Sequence, residues 1–125
     1  MVNETFGWVC IAAGFLSGSV MGIYFRREEW LGGYTSLERR LIRLGHIAFL
    51  GLGIINVLYA QTSERMTGPP VRFALASWGF IVGGVAMPAC CWLVAWKKQL
   101  QPLFVIPVGS LVVAVIMTVF GLIGL

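Results

Sequence analysis

Four long apolar stretches alternate with short polar segments along the 125-residue chain. A helix of about 20 residues crosses the roughly 30 Å of hydrocarbon in a bilayer, and the apolar stretches are close to that length. The predicted spans cover residues 6–25, 44–60, 73–96 and 103–125. A spanning β-barrel needs alternating segments, and residues 111–120 do not alternate. We therefore predict an all-α integral membrane protein with a single membrane domain, an antiparallel four-helix transmembrane bundle.

The second span begins in charged sequence. Thr35 and Glu38 have the T-x-x-E spacing of a capping box, which predicts that a helix starts in the membrane interface over residues 36–43. Leu37, Leu41 and Leu44 then share one helical face, with arginines around the remainder. Arginine stems lie along hydrocarbon while their charged ends reach the headgroups, so this segment is predicted to lead into the span.

Composition agrees with this assignment. Charged residues are 14 of 125, or 11%, and hydrophobic residues are 58%, whereas a soluble domain has about 25% charged residues. A freely soluble globular protein is therefore excluded. Disorder is excluded as well, because 13% of the residues are aromatic and disordered chains have few of them.

The basic residues are divided unequally between the two ends of the predicted spans. Seven of them lie in the first and third loops and the adjoining helix start: Arg26, Arg27, Arg39, Arg40, Arg43, Lys97 and Lys98. Only Arg65 and Arg72 lie on the opposite side. The positive-inside rule places the basic loops in the cytoplasm. We therefore expect a multi-pass protein of a bacterial-type plasma (inner) membrane, with both termini on the outer side.

Glycines recur at a spacing of four on two of the spans. They are Gly14, Gly18 and Gly22 on the first span, and Gly79 and Gly83 on the third. Small residues at this spacing let another helix approach closely. The pattern predicts helix packing, either within the bundle or in a contact with a second copy or another membrane protein.

Two prolines fall within the predicted spans. Pro88 cannot donate to the carbonyl of Gly84, which predicts a kink just past the middle of the third span. Pro107 should likewise release the carbonyl of Leu103 near the start of the fourth span. Both lie in the inner half, where the predicted kinks would either form a shared opening or be ordinary irregularities of packing.

His46 and Asn56 are the strongly polar side chains within the spans. His46, the only histidine, lies on one stripe with Arg39 and Arg43 and is a candidate for proton transfer, for contact with haem, quinone or an acidic lipid, or for a structural hydrogen bond. Asn56 lies about 15 Å further along the helix. It predicts an interhelical hydrogen bond or part of a polar path.

The five arginines of the first loop and the second helix start have two interpretations. Basic residues near a membrane surface each contribute about 1 kcal/mol to the binding of anionic lipids. The same cluster also sets topology. The residues concerned are Arg26, Arg27, Arg39, Arg40 and Arg43.

No catalytic pattern is found in the sequence. Asp is absent, and no phosphate-binding, zinc-protease or serine-hydrolase motif occurs. Cys90 and Cys91 are adjacent, and Cys10 lies toward the other membrane face, which predicts three buried free thiols. Basic residues mixed with glutamates do not form a nucleic-acid surface. We expect no enzyme activity, cofactor, metal or nucleic-acid partner.

These observations favour a small non-catalytic accessory or scaffold subunit. Its partners would be the lipid bilayer and either a second copy of the chain or another membrane protein. Two alternatives remain. One is a dimeric permeation module for small solutes or lipids, with His46 and Asn56 near its path, and the other is an electron-transfer subunit that binds haem or quinone through His46.

Overall fold

The computed structural model describes residues 2–125, which form four long α-helices. The helices are α1 (Val2–Tyr24), α2 (Leu37–Ser63), α3 (Pro70–Trp96) and α4 (Val105–Ile123). Two 3₁₀ segments lie in the loops, at Trp30–Gly32 and Lys98–Phe104. These residues contain no strand, and four helical segments are long and apolar enough to cross a membrane. The predicted all-helical fold with four long apolar helices is confirmed.

The second helix begins one residue later than the capping pattern predicted. The N-cap is Ser36, whose Oγ accepts the backbone N–H of Arg39 at 3.2 Å. Thr35 does not cap the helix, and its carbonyl instead accepts hydrogen bonds from the Arg40 guanidinium. Threonine and serine are both good N-caps, so a capping box that began at Thr35 was the wrong choice between two adjacent candidates.

Contacts between loops and helix ends establish the direction of α1, α2 and α3. The start of α2 meets the end of α1, because Arg39 binds the carbonyl of Phe25. The start of α2 also lies near the end of α3, where Lys98 Nζ is 4.0 Å from Glu38 Oε1. Consecutive helices are therefore antiparallel, as short connections require. We call the end that contains the first and third loops, residues 25–36 and 97–104, the basic end.

The opposite end holds the first and last described residues, and we call it the terminal end. Arg72, in the first turn of α3, donates to the carbonyls of Phe120 and Leu125 at the end of α4. Asn3, at the start of α1, is bonded to Ser77 in α3. The first and last described residues therefore lie at the same end of the bundle.

The bundle is open rather than a closed ring. α3 is the central helix and packs along α2 on one side and along α4 on the other, while α1 packs along α2. Within residues 2–125, α1 and α4 do not pack along each other. The buried core lies among α2, α3 and α4 and contains Tyr59, Ala76, Phe80 and Ala114. Much of the surface of α1 and α4 is consequently covered by no other helix of this chain.

The two prolines occupy different helical positions. Pro88 is fully buried inside α3, and the helix continues past it to Trp96. A kink of α3 at Pro88 stays a prediction. Pro107 is the third residue of α4, where an amide has no partner within the helix. Residues 98–104 form a 3₁₀ segment. Pro107 therefore marks the beginning of α4 rather than a bend within it.

Candidate functional site

Arg39 forms the most unusual polar arrangement at the basic end. It belongs to the first turn of α2, its exposed fraction is 1%, and it reaches the chain just after α1. Nη2 donates to the carbonyl of Phe25 at 3.1 Å, and Nη1 donates to the carbonyls of Arg27 at 3.4 Å and Glu28 at 3.3 Å. Carbonyls at a helix C-terminus lack partners within the helix and carry partial negative charge. Arg39 therefore fastens the first loop to α2.

Aromatic rings surround the guanidinium of Arg39. Its central carbon lies 4.5 Å from the ring centre of Phe25, 5.0 Å from that of Tyr34 and 5.8 Å from that of Trp30. Cation–π contacts of this kind strengthen when the cation is removed from water. Among the described residues, Arg39 forms no ion pair with a carboxylate. The positive charge of Arg39 is instead stabilised by backbone carbonyls and aromatic rings.

One N–H of this buried arginine has no acceptor. A guanidinium has five N–H donors, and three hydrogen bonds use donors on Nη1 and Nη2. The buried Nε has no partner among residues 2–125. Arg39 is also part of the lining of an open pocket of about 550 Å³, together with Phe25, Arg26, Glu28 and Tyr34. A buried polar atom without a partner is rare and costly, so this pocket is the leading candidate binding site.

His46 takes part in a helix contact and does not face this pocket. Its Nδ1 lies 3.1 Å from Ser17 Oγ in α1. The Ser17 hydroxyl also donates to the carbonyl of Gly14 at 3.0 Å, and its role toward Nδ1 depends on the tautomer of His46. The structural hydrogen bond considered for His46 is therefore present. Of the stripe predicted with Arg39 and Arg43, only the two arginines approach the same ring, Tyr34.

Asn56 is the centre of a buried cluster near the terminal end. Its Oδ1 accepts from Asn3 Nδ2 at 2.9 Å, and its Nδ2 donates to the carbonyls of Leu52 at 2.9 Å and Phe80 at 3.1 Å. Asn3 also donates to the carbonyl of Ser77 at 3.1 Å and accepts from its hydroxyl. The cluster joins α1, α2 and α3, as an interhelical role for Asn56 predicted. Its amide has no donor left for a solute.

Asn3 was not recognised from the sequence because it precedes the first predicted span. α1 starts at Val2, so Asn3 lies in the first helical turn and is buried with an exposed fraction of 5%. The available signal was an amide three residues before the predicted span that starts at Phe6, at the same predicted end of the bundle as Asn56. Two amides at one depth on neighbouring helices are suitable partners for each other.

The glycines of α1 pack against α2. A Cβ added at Gly14 would lie 2.5 Å from Leu50 Cδ2, and one added at Gly18 would lie 2.6 Å from His46 Cε1. Such distances leave no room for a side chain. Gly22 differs, because a Cβ there would meet no atom within 4 Å. Two of the three glycines in the stripe are therefore occupied by packing within the chain.

The glycines of α3 pack against α4. A Cβ added at Gly79 would lie 2.7 Å from the carbonyl oxygen of Ser110, and one added at Gly83 would overlap the side chain of Leu111. Close packing of helices inside the bundle accounts for both residues. Packing within the chain therefore accounts for Gly14, Gly18, Gly79 and Gly83, and only Gly22 is left for the alternative, a contact with a second copy or another membrane protein.

The described cysteines are free thiols, as predicted. Cys10, Cys90 and Cys91 are all buried and unpaired. Cys90 Sγ lies 3.6 Å from the carbonyl oxygen of Leu103, the group that Pro107 cannot bind. Across residues 2–125, no three His, Cys, Asp or Glu side chains are grouped as metal ligands.

Comparison with known proteins gives no relative. No protein-family model, curated protein or solved structure matches the sequence. The function must therefore be inferred from the geometry of the chain.

An apolar groove, which we call the α3–α4 groove, runs along the outside of these two helices. Its volume is about 360 Å³. Small residues of both helices line it, and Trp78 stands beside them with an exposed fraction of 63%. The small residues are Ala74, Gly79, Gly109 and Ser110. A groove with small side chains admits the ridge of another helix, which is the usual geometry of association in a bilayer.

Proposed function

We propose that this chain is a non-catalytic accessory or scaffold subunit of a bacterial-type plasma membrane, with both termini on the outer side. It acts by packing its helices against a transmembrane helix of a partner. The open arrangement of the bundle is the observation that supports this function. The partner helix would occupy the α3–α4 groove, beside the last helix.

The membrane assignment rests on the helices and on the surface they present. Four helices are long and apolar enough to span, and large apolar side chains remain uncovered. Leu16 is 70% exposed, Phe15 65% and Val105 74%. Such a surface is stable in hydrocarbon and would aggregate in water.

The proposed orientation rests on the seven basic residues of the first and third loops and the start of α2, which lie at the basic end. Alkaline phosphatase fused after Leu125 should be active and a fluorescent protein fused there should be dark, because only the first matures outside the cytoplasm. The opposite pair of results would reverse the proposed orientation.

The α3–α4 groove suits a helix better than it suits a small ligand. It is shallow and almost wholly apolar, with no ionisable side chain among its lining residues. α4 packs substantially on α3 alone, whereas in a closed bundle it would meet a second helix. Because lipid tails are as apolar as leucine, helix association depends on close packing, and the small residues of the groove permit a close approach.

A pair of glycine substitutions tests the groove. A Cβ at Gly109 or at Gly51 meets no atom of the chain within 4 Å, so both Gly109→Leu and Gly51→Leu should fold. Of these two glycines, only Gly109 lines the groove. Cross-linking in membranes, followed by mild-detergent purification and native mass spectrometry, should capture a partner helix with the wild type and Gly51→Leu but not with Gly109→Leu.

Two outcomes would contradict the proposed function. One is a strictly monomeric protein that cross-links to nothing in its native membrane. The other is a complex that both variants retain equally, since the groove would then not be the contact. Homodimers lost only in Gly109→Leu would identify the partner as a second copy of the chain.

The two alternative functions have weaker support. Between His46 and Asn56, α2 packs closely on α1 through Leu50 against Gly14 and through Gly53 against Gly7, which leaves no room for a polar path along the α1–α2 interface of residues 2–125. The Nδ1 of His46 lies 3.1 Å from Ser17 Oγ, and its Cε1–Nε2 edge lies against Gly18 of α1. A permeation path or a redox cofactor would have to be completed by residues of another chain.

A further inference from the structure

The pocket beside Arg39 has a property that the accessory function does not use. Its charged wall contains an almost fully buried guanidinium with an unpartnered Nε. Nε–H and the neighbouring Nη2 form one edge of the guanidinium fork, and Nη2 uses one of its two hydrogens on the carbonyl of Phe25. Two N–H groups on one arginine are the preferred partners of two oxygens of a carboxylate or phosphate.

We propose that this pocket binds a phosphate-type oxoanion, with Arg39 held in place by backbone carbonyls and Arg26 closing the outer side. The Arg39 charge lacks a carboxylate partner, so an anion would supply the missing counter-charge. The pocket volume of about 550 Å³ is ample for a phosphate group and part of what it is attached to. The site does not depend on the α3–α4 groove or on any partner helix.

The charges around the pocket favour an anion, with one exception. Arg26 lines it directly, and the guanidinium carbon of Arg43 lies 5.1 Å from the ring centre of Tyr34, which is also a lining residue. Glu28 lines the pocket as well, and its carboxylate repels an anion. Three arginines and one glutamate leave a net positive charge.

The position of the pocket is compatible with two sources of the phosphate group. The first loop lies at the basic end, just beyond the apolar part of α1 and α2, where lipid headgroups would lie in the proposed orientation. An anionic phospholipid and a free phosphate both present the same oxygens. The chemistry of the pocket is common to both, and the experiment must separate them.

Neighbouring residues in the first loop provide matched variants. Arg26 and Arg27 are adjacent and both exposed, and only Arg26 lines the pocket. Glu28 and Glu29 form the same kind of pair, in which only Glu28 lines it. Each pair changes one charge at nearly the same position in the sequence, so a general effect of surface charge would appear in both members.

We would titrate the full-length protein in maltoside micelles with three probes. The salt concentration should be about 0.15 M, at which exposed charges are screened beyond about 8 Å. The probes are short-chain phosphatidylglycerol and phosphatidylcholine, followed by native mass spectrometry, and inorganic phosphate, followed by calorimetry. Arg26→Gln should weaken binding about fivefold and Glu28→Gln should strengthen it about fivefold. Arg27→Gln and Glu29→Gln should change it less than about twofold.

The probes decide the source, and the variants decide the site. Saturable binding of one phosphatidylglycerol in preference to phosphatidylcholine, with this order of variants, supports a lipid headgroup. Saturable binding of inorganic phosphate with the same order, and no preference between the lipids, supports a free anion. Absence of saturable binding to any probe overturns the proposal.

Equal effects of Arg26→Gln and Arg27→Gln would also overturn it, because attraction would then be spread over the surface. The variants leave Arg39 unchanged, so the fold is not at risk. The Gly109→Leu assay measures partner capture and the Arg26→Gln assay measures anion binding. Failure of the accessory function can therefore be distinguished from failure of the anion site.

Discussion

The buried amide cluster yields the sharpest stability prediction. Asn56→Ala removes the hydrogen bond from Asn3 to Asn56 Oδ1 and the bond from Asn56 Nδ2 to the carbonyl of Phe80. Both bonds join helices. Asn3 keeps its bonds to Ser77, but the N–H that Nδ2 donated to Asn56 loses its acceptor. The cost should therefore be at least that of the two lost bonds.

The expected magnitude follows from measured interhelical bonds in membranes. Such bonds contribute about 0.6 kcal/mol on average and up to about 1.7 kcal/mol. Two of them give about 1 to 3 kcal/mol, and the small void left by alanine adds a fraction of a kcal/mol. In a double-mutant cycle with Asn3→Ala, the coupling energy should be about 0.6 kcal/mol or more.

Reversible unfolding from maltoside into dodecyl sulfate micelles, followed by tryptophan fluorescence, measures both quantities. Ser19→Ala is the control, because Ser19 is exposed and bonds only the carbonyl of Phe15 in its own helix. The reasoning would be refuted by two results together: a cost for Asn56→Ala no larger than that of Ser19→Ala, and additive effects of the two asparagine substitutions.

Three further predictions concern the rest of the chain. Gly7→Ala should destabilise the protein by about 1 to 3 kcal/mol in the same assay, because its Cβ would lie 2.5 Å from the carbonyl oxygen of Gly53. The control is Gly22→Ala, whose Cβ would lie in open space and which should be neutral or stabilising by about 0.5 kcal/mol. Equal free-energy costs for Gly7→Ala and Gly22→Ala would show that α1 and α2 do not approach closely at Gly7 and Gly53. Arg39→Gln should cost at least about 1.5 kcal/mol and make residues 25–36 sensitive to protease, while exposed Arg40→Gln should cost less than about 0.5 kcal/mol; similar cleavage of both variants would contradict the bonds to the loop carbonyls. The purified protein should show no Soret band, because the Cε1–Nε2 edge of His46 lies against Gly18 of α1 and the chain has no second histidine; such a band would show that Nε2 of His46 is accessible to haem or that the ligand comes from elsewhere.

The helices and their directions could be predicted because length and composition determine them. A long apolar run must form a helix in lipid, and short loops force consecutive helices to be antiparallel neighbours. The role of Asn56 was predictable for a similar reason, since a buried amide must find a partner. The identity of that partner, Asn3, depended on where α1 begins, and helix ends are weakly encoded.

The special position of Arg39 could not be separated from that of the other loop arginines by composition or by charge. It is buried because the first loop folds back over it, through a turn in which Leu31 has φ +53° and Gly32 and Gly33 also have positive φ. Positive φ is costly for leucine, and the hydrogen bond from Ser36 Oγ to the Leu31 carbonyl holds the turn. The signal that was overlooked is the group of aromatic residues shortly before Arg39, of which Phe25, Trp30 and Tyr34 surround its guanidinium.

The open edge of the bundle is invisible in the sequence for a physical reason. In water, an apolar face requires a cover, so the hydrophobic periodicity of a helix reveals which side is packed. In a bilayer, lipid covers an apolar face as well as a helix does, and that information is lost. Gly18 and Gly22 belong to the same stripe with the same spacing of four residues, yet only Gly18 closely approaches another helix. Small residues therefore show where a helix can approach, and only the three-dimensional arrangement shows that the chain itself fills the position at Gly18 and leaves Gly109 uncovered.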